Sequence, residues 1–367
     1  MHLYIHVPFC ARRCSYCDFA IAVRRTTPSD AFCTAVLDEW SIWQHHAVWA
    51  DAGPIATIYL GGGTPSRLSP EALRAVLERI AGDRPVQPDP EVTLEANPDD
   101  VSPHAAAEWL AAGINRVSLG AQSFDPAVLA WMHRTHRSEQ TAEAVAVLRN
   151  AGFENLSLDL IFGLSGHLTR SWRRDLDRAL ALEPDHISLY ALTVEERTPV
   201  SRWISRGLCA LPDDEQAANE YIEAHARLCD AGFEHYEVSN AGRPGFHAKH
   251  NSAYWAGAHY IGLGPSAHSY LGDHRQWNVR DWAAYQRALQ QGKPVVGGRE
   301  RLDGREARLE HVYLGLRTNS GIEVEAVPPS VAAAWQEAGW AECQGERIRL
   351  TVEGWLRLDA LVRAAAS

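Results

Sequence analysis

Six short runs of apolar and β-branched residues, at 3–7, 56–60, 91–94, 116–119, 156–161 and 186–190, alternate with longer stretches of helical period. Alternation of this kind builds βα units, in which parallel strands are joined by right-handed helical crossovers. Such strands either lie side by side in an open sheet or curl into a barrel, and the pattern alone does not separate the two. Start and stop signals mark the crossovers. Ser29 and Asp30 precede a helix expected over 31–49, Ser69-Pro70-Glu71 one over 72–80, and Ser102-Pro103 one over 104–112, while Gly113 and Gly152 read as stops.

The unusual residues fall just past the carboxyl end of each run, where both parallel architectures place their sites. They are a loop with Cys10, Cys14 and Cys17, then Gly61 to Pro65, Glu95 to Pro98, Gln122, Asp159, and Tyr190 to Thr193. Six strand ends are therefore expected around one pocket. Beyond residue 210 the regular alternation stops: a helix is expected over 213–229, a strand over 236–238, and a helix over 281–290. The final stretch reads as small helices with a hairpin at 339–351, in the manner of a winged helix. The division expected is 1–210, 211–300 and 301–367.

Charge and cysteine usage narrow the chemistry. Thirty-five Lys and Arg against 46 Asp and Glu leave a net charge of −11, which opposes a polyanion, so nucleic acid is not an expected partner. There is no run of about 18 apolar residues and no secretory leader pattern, so a cytoplasmic protein is expected. Seven cysteines in a reducing compartment are not expected to form disulfides, and their spacing matters more than their number. Cys33, Cys209, Cys229 and Cys343 stand singly. Cys10, Cys14 and Cys17 form C-x3-C-x2-C, one thiolate short of a closed tetrahedral zinc site. Three thiolates can instead hold three irons of a [4Fe-4S] cluster and leave the fourth iron open; a tight zinc or core cluster is the alternative.

These cysteines resemble the signature of radical S-adenosylmethionine enzymes. The preceding Tyr4-Ile5-His6-Val7-Pro8-Phe9 resembles one branch of them, the oxygen-independent coproporphyrinogen III oxidase family. The resemblance covers most of the chain and implies an α/β fold, a partial (β/α)6 barrel with a smaller C-terminal α+β domain. It implies that Cys10, Cys14 and Cys17 ligate the cluster and that S-adenosylmethionine lies beside it. By the same resemblance Gly62, Gly63 and Thr64 meet the methionyl amine, where glycine lets backbone approach a ligand closely. Glu95 suits the ribose hydroxyls or the ammonium, Arg134 pairs with the methionyl carboxylate, and Gln122 and Asp159 complete the contacts. Tyr16 and Ala191 flank the adenine, and Tyr4 belongs to the same cofactor set.

Two departures set the chain apart from the oxidases. They carry a further cysteine two residues past the third, where this chain has Phe19, and a longer stretch before the first, where this chain has nine residues. Lys249-His250-Asn251-Ser252-Ala253-Tyr254-Trp255 instead resembles the H-N-x-x-Y-W motif of the family's non-oxidase branch, which are heme chaperones. An imidazole can ligate heme iron, and Tyr254 and Trp255 offer flat apolar faces, so His250 is the expected ligand; a satisfied histidine under an aromatic core is the alternative. The glycine-rich stretch 262–269 is expected to close over cofactor or tetrapyrrole. The function expected is delivery of heme to heme-requiring proteins, with oxidative decarboxylation of a porphyrinogen as the alternative and RNA modification as a weaker third. Expected partners are heme, heme-accepting clients that include a membrane-associated one, and a second copy of the chain.

Overall fold

The structure, a computed structural model, describes residues 1–49 and 52–365. All six expected strands form: β1 (His2–Val7), β2 (Ile55–Gly62), β3 (Val86–Ala96), β4 (Arg116–Gln122), β5 (Asn155–Phe162) and β6 (His186–Ala191). They pair in sequence order, every neighbour parallel. Short strands β7 (Glu234–Glu237) and β8 (Asn240–Gly242) extend this sheet antiparallel past β6. A seventh parallel strand, β9 (Tyr260–Leu263), which the sequence pattern does not announce, pairs with β1 on the opposite side. Antiparallel β10 (His268–Leu271), β11 (His274–Asn278) and β12 (Val296–Arg301) continue from it. The order is β12-β11-β10-β9-β1-β2-β3-β4-β5-β6-β8-β7, and no ladder closes its two ends among the described residues. The ends of strands β1 to β6 nonetheless surround one cavity, which only a curled sheet allows. The architecture is a partial (β/α)6 barrel rather than a flat open sheet.

The strands alternate in a sense that explains both packing and function. Leu3, Ile5, Ile58, Leu60, Leu94, Val117, Leu119, Leu158, Leu160, Ile187 and Leu189 are buried in one apolar core with the helices. Each such side chain contributes roughly 1.5–3 kcal/mol. The intervening positions, including Tyr4, Tyr59, Glu95, Ser118, Ser157, Asp159 and His186, face the lumen and meet one another there. A strand's period of two therefore puts its apolar residues against the crossovers and its polar ones inside the curl. Leu158→Ala, at a fully buried position, would cost roughly 3 kcal/mol.

Helix caps follow the expected residues in two cases. Ser69 accepts from Ala72 N and Ser102 from Ala105 N, and Gly152 ends its helix with φ of 105°. The helix read over 31–49 is shorter: α1 (Ser29–Trp43) stops at Trp43, and Ala47–Trp49 is a separate 3-10 turn. Trp49 folds back, donating Nε1 to Trp43 O at 2.8 Å, and His46 Nδ1 accepts from Val48 N at 3.2 Å, so side chains cap the turn where the helix would have continued. At the C-terminus β13 (Ile322–Glu323), β14 (Ala341–Gln344) and β15 (Arg347–Leu350) form a three-stranded antiparallel sheet, order β13-β15-β14, with helices Gly304–Leu316, Pro329–Glu337 and Leu358–Ala365 around it. Arg317 joins this part to the rest: it ion-pairs with fully buried Glu237 at 2.9 Å and lies 4.1 Å over the Trp255 ring. Among the described residues no helix is long and apolar enough to cross a membrane.

Candidate functional site

A cavity of about 420 Å³ opens at the carboxyl ends of the six parallel strands, a size usual for a small-molecule site. Its wall includes Cys10, Cys14 and Cys17, all free thiols, with Tyr16, Gly62, Gly63, Thr64, Glu95, Gln122, Arg134, Asp159 and Ala191. Burial raises the thiol pKa of Cys10, and that of Cys17 to about 11. Thr64 Oγ1 donates to Cys10 Sγ at 3.4 Å, and Arg134 Nη1 points at Cys14 Sγ from 3.6 Å.

The Gly61 to Thr64 turn is shaped by contacts that forbid side chains. A Cβ on Gly62, where φ is +109°, would sit 2.5 Å from the His6 ring, and one on Gly63 would sit 2.8 Å from the backbone of Val7 and Pro8. Gly62 N donates to Glu95 Oε2 at 2.9 Å and Gly63 N to Val7 O at 2.8 Å. With both N–H groups engaged, what the two glycines still offer a ligand is acceptors, which suits an ammonium.

Acidic and basic groups are held by neighbours in the lumen. Glu95 takes Tyr59 Oη as well, at 2.8 Å, and burial, reinforced by Asp159, pushes its pKa up to about 7. Asp159 accepts from Ser118 Oγ at 3.0 Å, and burial raises its pKa against the pull of Ser188 and Ser118. Arg134 Nη2 donates to Asn97 Oδ1 at 2.6 Å and to Gly120 O at 2.9 Å, while its Nε is buried with no hydrogen-bond partner among the described residues, a donor that a ligand carboxylate can satisfy. Gln122 sits where β4 breaks register with β5, at a φ of 65°, a strain typical of functional sites. Tyr59 and Ser118 were not singled out by the sequence, and Asn97 only as part of the Glu95 to Pro98 turn; the signal for the first two is the inward phase of the strand alternation.

Other expected residues lie elsewhere. Tyr4 is not part of the cavity wall; its ring stacks on Tyr59 at 6.1 Å and its hydroxyl meets His6 Nδ1 at 3.1 Å. His250 is 1% exposed. Its Nδ1 lies 2.6 Å from Thr57 Oγ1, its Nε2 2.7 Å from Tyr254 Oη, and its ring stacks on Tyr59 at 5.1 Å. In this arrangement both nitrogens are engaged, as in a satisfied core histidine. The glycine-rich stretch 262–269 does not reach the cavity either: it carries the end of β9, where Gly264 N donates to buried Glu39 at 2.8 Å and Gly264 O accepts from Asn278 at 2.8 Å.

The donor set suits a cubane cluster. Three free thiols on one short loop face a cavity whose wall includes the Arg134 guanidinium and the Glu95 and Asp159 carboxylates. Among the described residues no group of three Cys, His, Asp or Glu side chains is arranged to hold a metal ion.

A sequence model of the radical SAM superfamily matches residues 4–179. The heme chaperone HemW of Mycobacterium tuberculosis is 39% identical over 371 aligned residues, spanning 98% of this chain and 93% of that one. HemW of Lactococcus lactis is 37% identical over 322 residues, spanning 88% of this chain and 83% of its own. Among solved structures, the coproporphyrinogen III oxidase HemN of Escherichia coli is similar with a TM-score of 0.82 over 100% of this chain and 89% of that one, at 22% identity, a likeness of fold.

Proposed function

Because this chain belongs to the radical SAM superfamily and, within it, to the heme chaperones called HemW, we propose that it binds heme and delivers it to heme-requiring proteins. The reading also gives it a [4Fe-4S] cluster on Cys10, Cys14 and Cys17 and S-adenosylmethionine in the neighbouring cavity. The observation that carries the cofactor part is the meeting of those three free thiols with the Gly62 to Thr64 turn, Glu95, Arg134 and Asp159 on one cavity wall.

A cluster with one iron unligated by protein supplies an electron and a chelation site for an amino acid's amine and carboxylate. The chain's own residues do the rest. Gly62 and Gly63 present acceptors to the amine, and Glu95, once ionised, adds a charge. Arg134, locked by Asn97 and Gly120, presents Nε to the carboxylate. Tyr16 and Ala191 bound the part of the cavity where an adenine fits. Heme ligation by His250 would require one of its two hydrogen bonds, to Thr57 or to Tyr254, to break.

The test is made on protein reconstituted without air. Iron and sulfide content, visible absorption and S-adenosylmethionine binding are measured for the wild type and Cys14→Ala, then heme is titrated and its transfer to an apo-hemoprotein followed. The wild type is expected to hold the cluster, bind heme and pass it on, and Cys14→Ala to lose the cluster. A variant with full cluster absorbance refutes the ligand assignment; conversion of coproporphyrinogen III to protoporphyrinogen would move the protein to the oxidases.

A further inference from the structure

Leu208 and Leu211, 68% and 64% exposed, are the most exposed large apolar side chains among the described residues, and nothing in the cofactor cavity uses them. Exposed apolar residues that adjoin one another mark an interaction site more often than scattered ones. These two flank a continuous strip of rings. His133 meets Trp203 edge-on at 5.4 Å, Trp203 meets Trp131 at 5.7 Å, and Trp131 meets His167 at 6.0 Å. Leu208 N donates to Trp203 O at 2.9 Å, and Cys209 Sγ lies 3.7 Å from His167 Nδ1, so the segment with both leucines lies against the strip. Both indoles are half-buried and His167 is exposed.

The tautomer of His167 follows from its neighbours. Ser165 Oγ donates its only hydrogen to Ala210 O at 2.8 Å, because a carbonyl can only accept. At 2.8 Å from the same hydroxyl, His167 Nδ1 must therefore be the donor, and it carries the proton. Cys209 Sγ agrees, since its hydrogen also goes to Ala210 O, at 3.3 Å. His167 Nε2 has no polar partner among the described residues. An imidazole whose Nδ1–H is held and whose Nε2 is free has the form used by metal-ligating histidines.

We propose that His167 Nε2 is an axial ligand for heme laid against Trp131, Trp203 and Leu208. Flat indole faces and exposed leucines suit a porphyrin, and exposed Arg202 and Arg206, on and just past the helix that carries Trp203, supply charge for its propionates. This surface borders the cysteine loop: Ser15 N donates to Met132 O at 3.1 Å and Ser15 O accepts from Val200 N at 3.0 Å, while His133 is also part of the cofactor cavity. Heme bound there would lie next to the cluster loop, whereas His250 is buried with both nitrogens engaged.

The inference rests on the heme-binding reading, and one titration separates the two. Hemin is added to the full reconstituted chain as wild type, His167→Ala, Trp203→Ala and His250→Ala, with the Soret band as readout and cluster absorbance and circular dichroism as controls of folding. His167→Ala is expected to keep its fold and cluster, lose the ligated spectrum, weaken at least tenfold, and recover the band when free imidazole is added. Trp203→Ala is expected to weaken binding with the ligated spectrum retained. A wild type that binds no hemin removes the heme reading itself. A wild type that binds while His167→Ala titrates identically overturns the ligand assignment alone.

Discussion

Tyr59 donates to Glu95 Oε1 at 2.8 Å from the neighbouring strand, and the pair sits directly under the glycine turn of the cofactor cavity. Burial, helped by Asp159, holds the Glu95 carboxyl at about 7 instead of its ordinary 4.5. An ammonium ligand gains from Glu95 only once it is ionised, so affinity for S-adenosylmethionine should rise from about pH 6 to about pH 8 and then level off. Glu95→Gln is expected to weaken binding at least tenfold at the upper end and flatten the profile. Tyr59→Phe removes a donor that favours the charged form, so the curve should move to higher pH. Equilibrium dialysis across pH checks all three. The sign reverses for the empty protein: a carboxyl with a raised pKa adds most stability when protonated, and that contribution is lost as pH climbs from about 4.5 through about 7.

Arg134 reaches Asn97 and Gly120 through one nitrogen and Cys14 through another, which a planar guanidinium can do and an ammonium cannot. Arg134→Lys should lower S-adenosylmethionine affinity by roughly tenfold or more and stability by roughly 1–3 kcal/mol. Asn97→Ala should show a smaller loss in the same assay. Calorimetric affinities equal to the wild type would remove Arg134 from the carboxylate-binding role.

Glu39 accepts from Gly264 N at 2.8 Å, Asn278 Nδ2 at 2.7 Å and Tyr285 Oη at 2.6 Å, all out of contact with water, and burial raises its pKa to about 6. Glu39→Ala takes the acceptor from the Gly264 N–H, the Tyr285 hydroxyl and one Asn278 N–H, the other staying on Gly264 O, and a loss of roughly 3 kcal/mol or more in chemical denaturation is expected. Glu39→Gln should cost less, because the amide oxygen still accepts. Equal midpoints for Glu39→Ala and the wild type would show that this network does not hold β9 to α1.

His250, with Thr57 and Tyr254 on its two nitrogens, is kept neutral by burial, its pKa lowered to about 3. His235 is lowered to about 3 as well, and His186 well below its usual range, both chiefly by burial. The unfolded chain takes up these protons below about pH 6.5 and the folded one does not, so stability should fall as pH drops from there toward 3, by roughly 4 kcal/mol for His250 at full extent. Denaturation midpoints that stay flat over this interval would contradict the neutral, buried imidazole. His250→Leu should lessen the slope while lowering stability at neutral pH, since Thr57 and Tyr254 lose their partner.

Local spacing along the chain is what makes parts of this fold legible in sequence. The six parallel strands are visible because a strand's apolar run and the helical period after it each repeat within a few residues. Cys10, Cys14 and Cys17 and the Gly62 to Thr64 turn are visible because each group is contiguous. Tyr59 and Ser118 occupy unremarked strand positions, and only the ladder register, which sets Tyr59 opposite Thr93 and Glu95 opposite Ser118, makes them supports of Glu95 and Asp159. The four residues of β9 carry too little period to announce a strand, and their partner β1 lies at the other end of the chain.

His250 shows the other side of that division. Its motif marked it as a ligand, yet whether an imidazole is available depends on what fills the space at each nitrogen. Residue types and spacing on their own determined the βα repeat, the thiol loop and the chemistry of the cavity wall, because those follow from short-range periodicity and side-chain identity. Curling of the sheet, the polar lumen, the closed surroundings of His250 and the free nitrogen of His167 were decided by packing between segments distant in the chain, since burial and hydrogen-bond satisfaction depend on neighbours brought together only by folding.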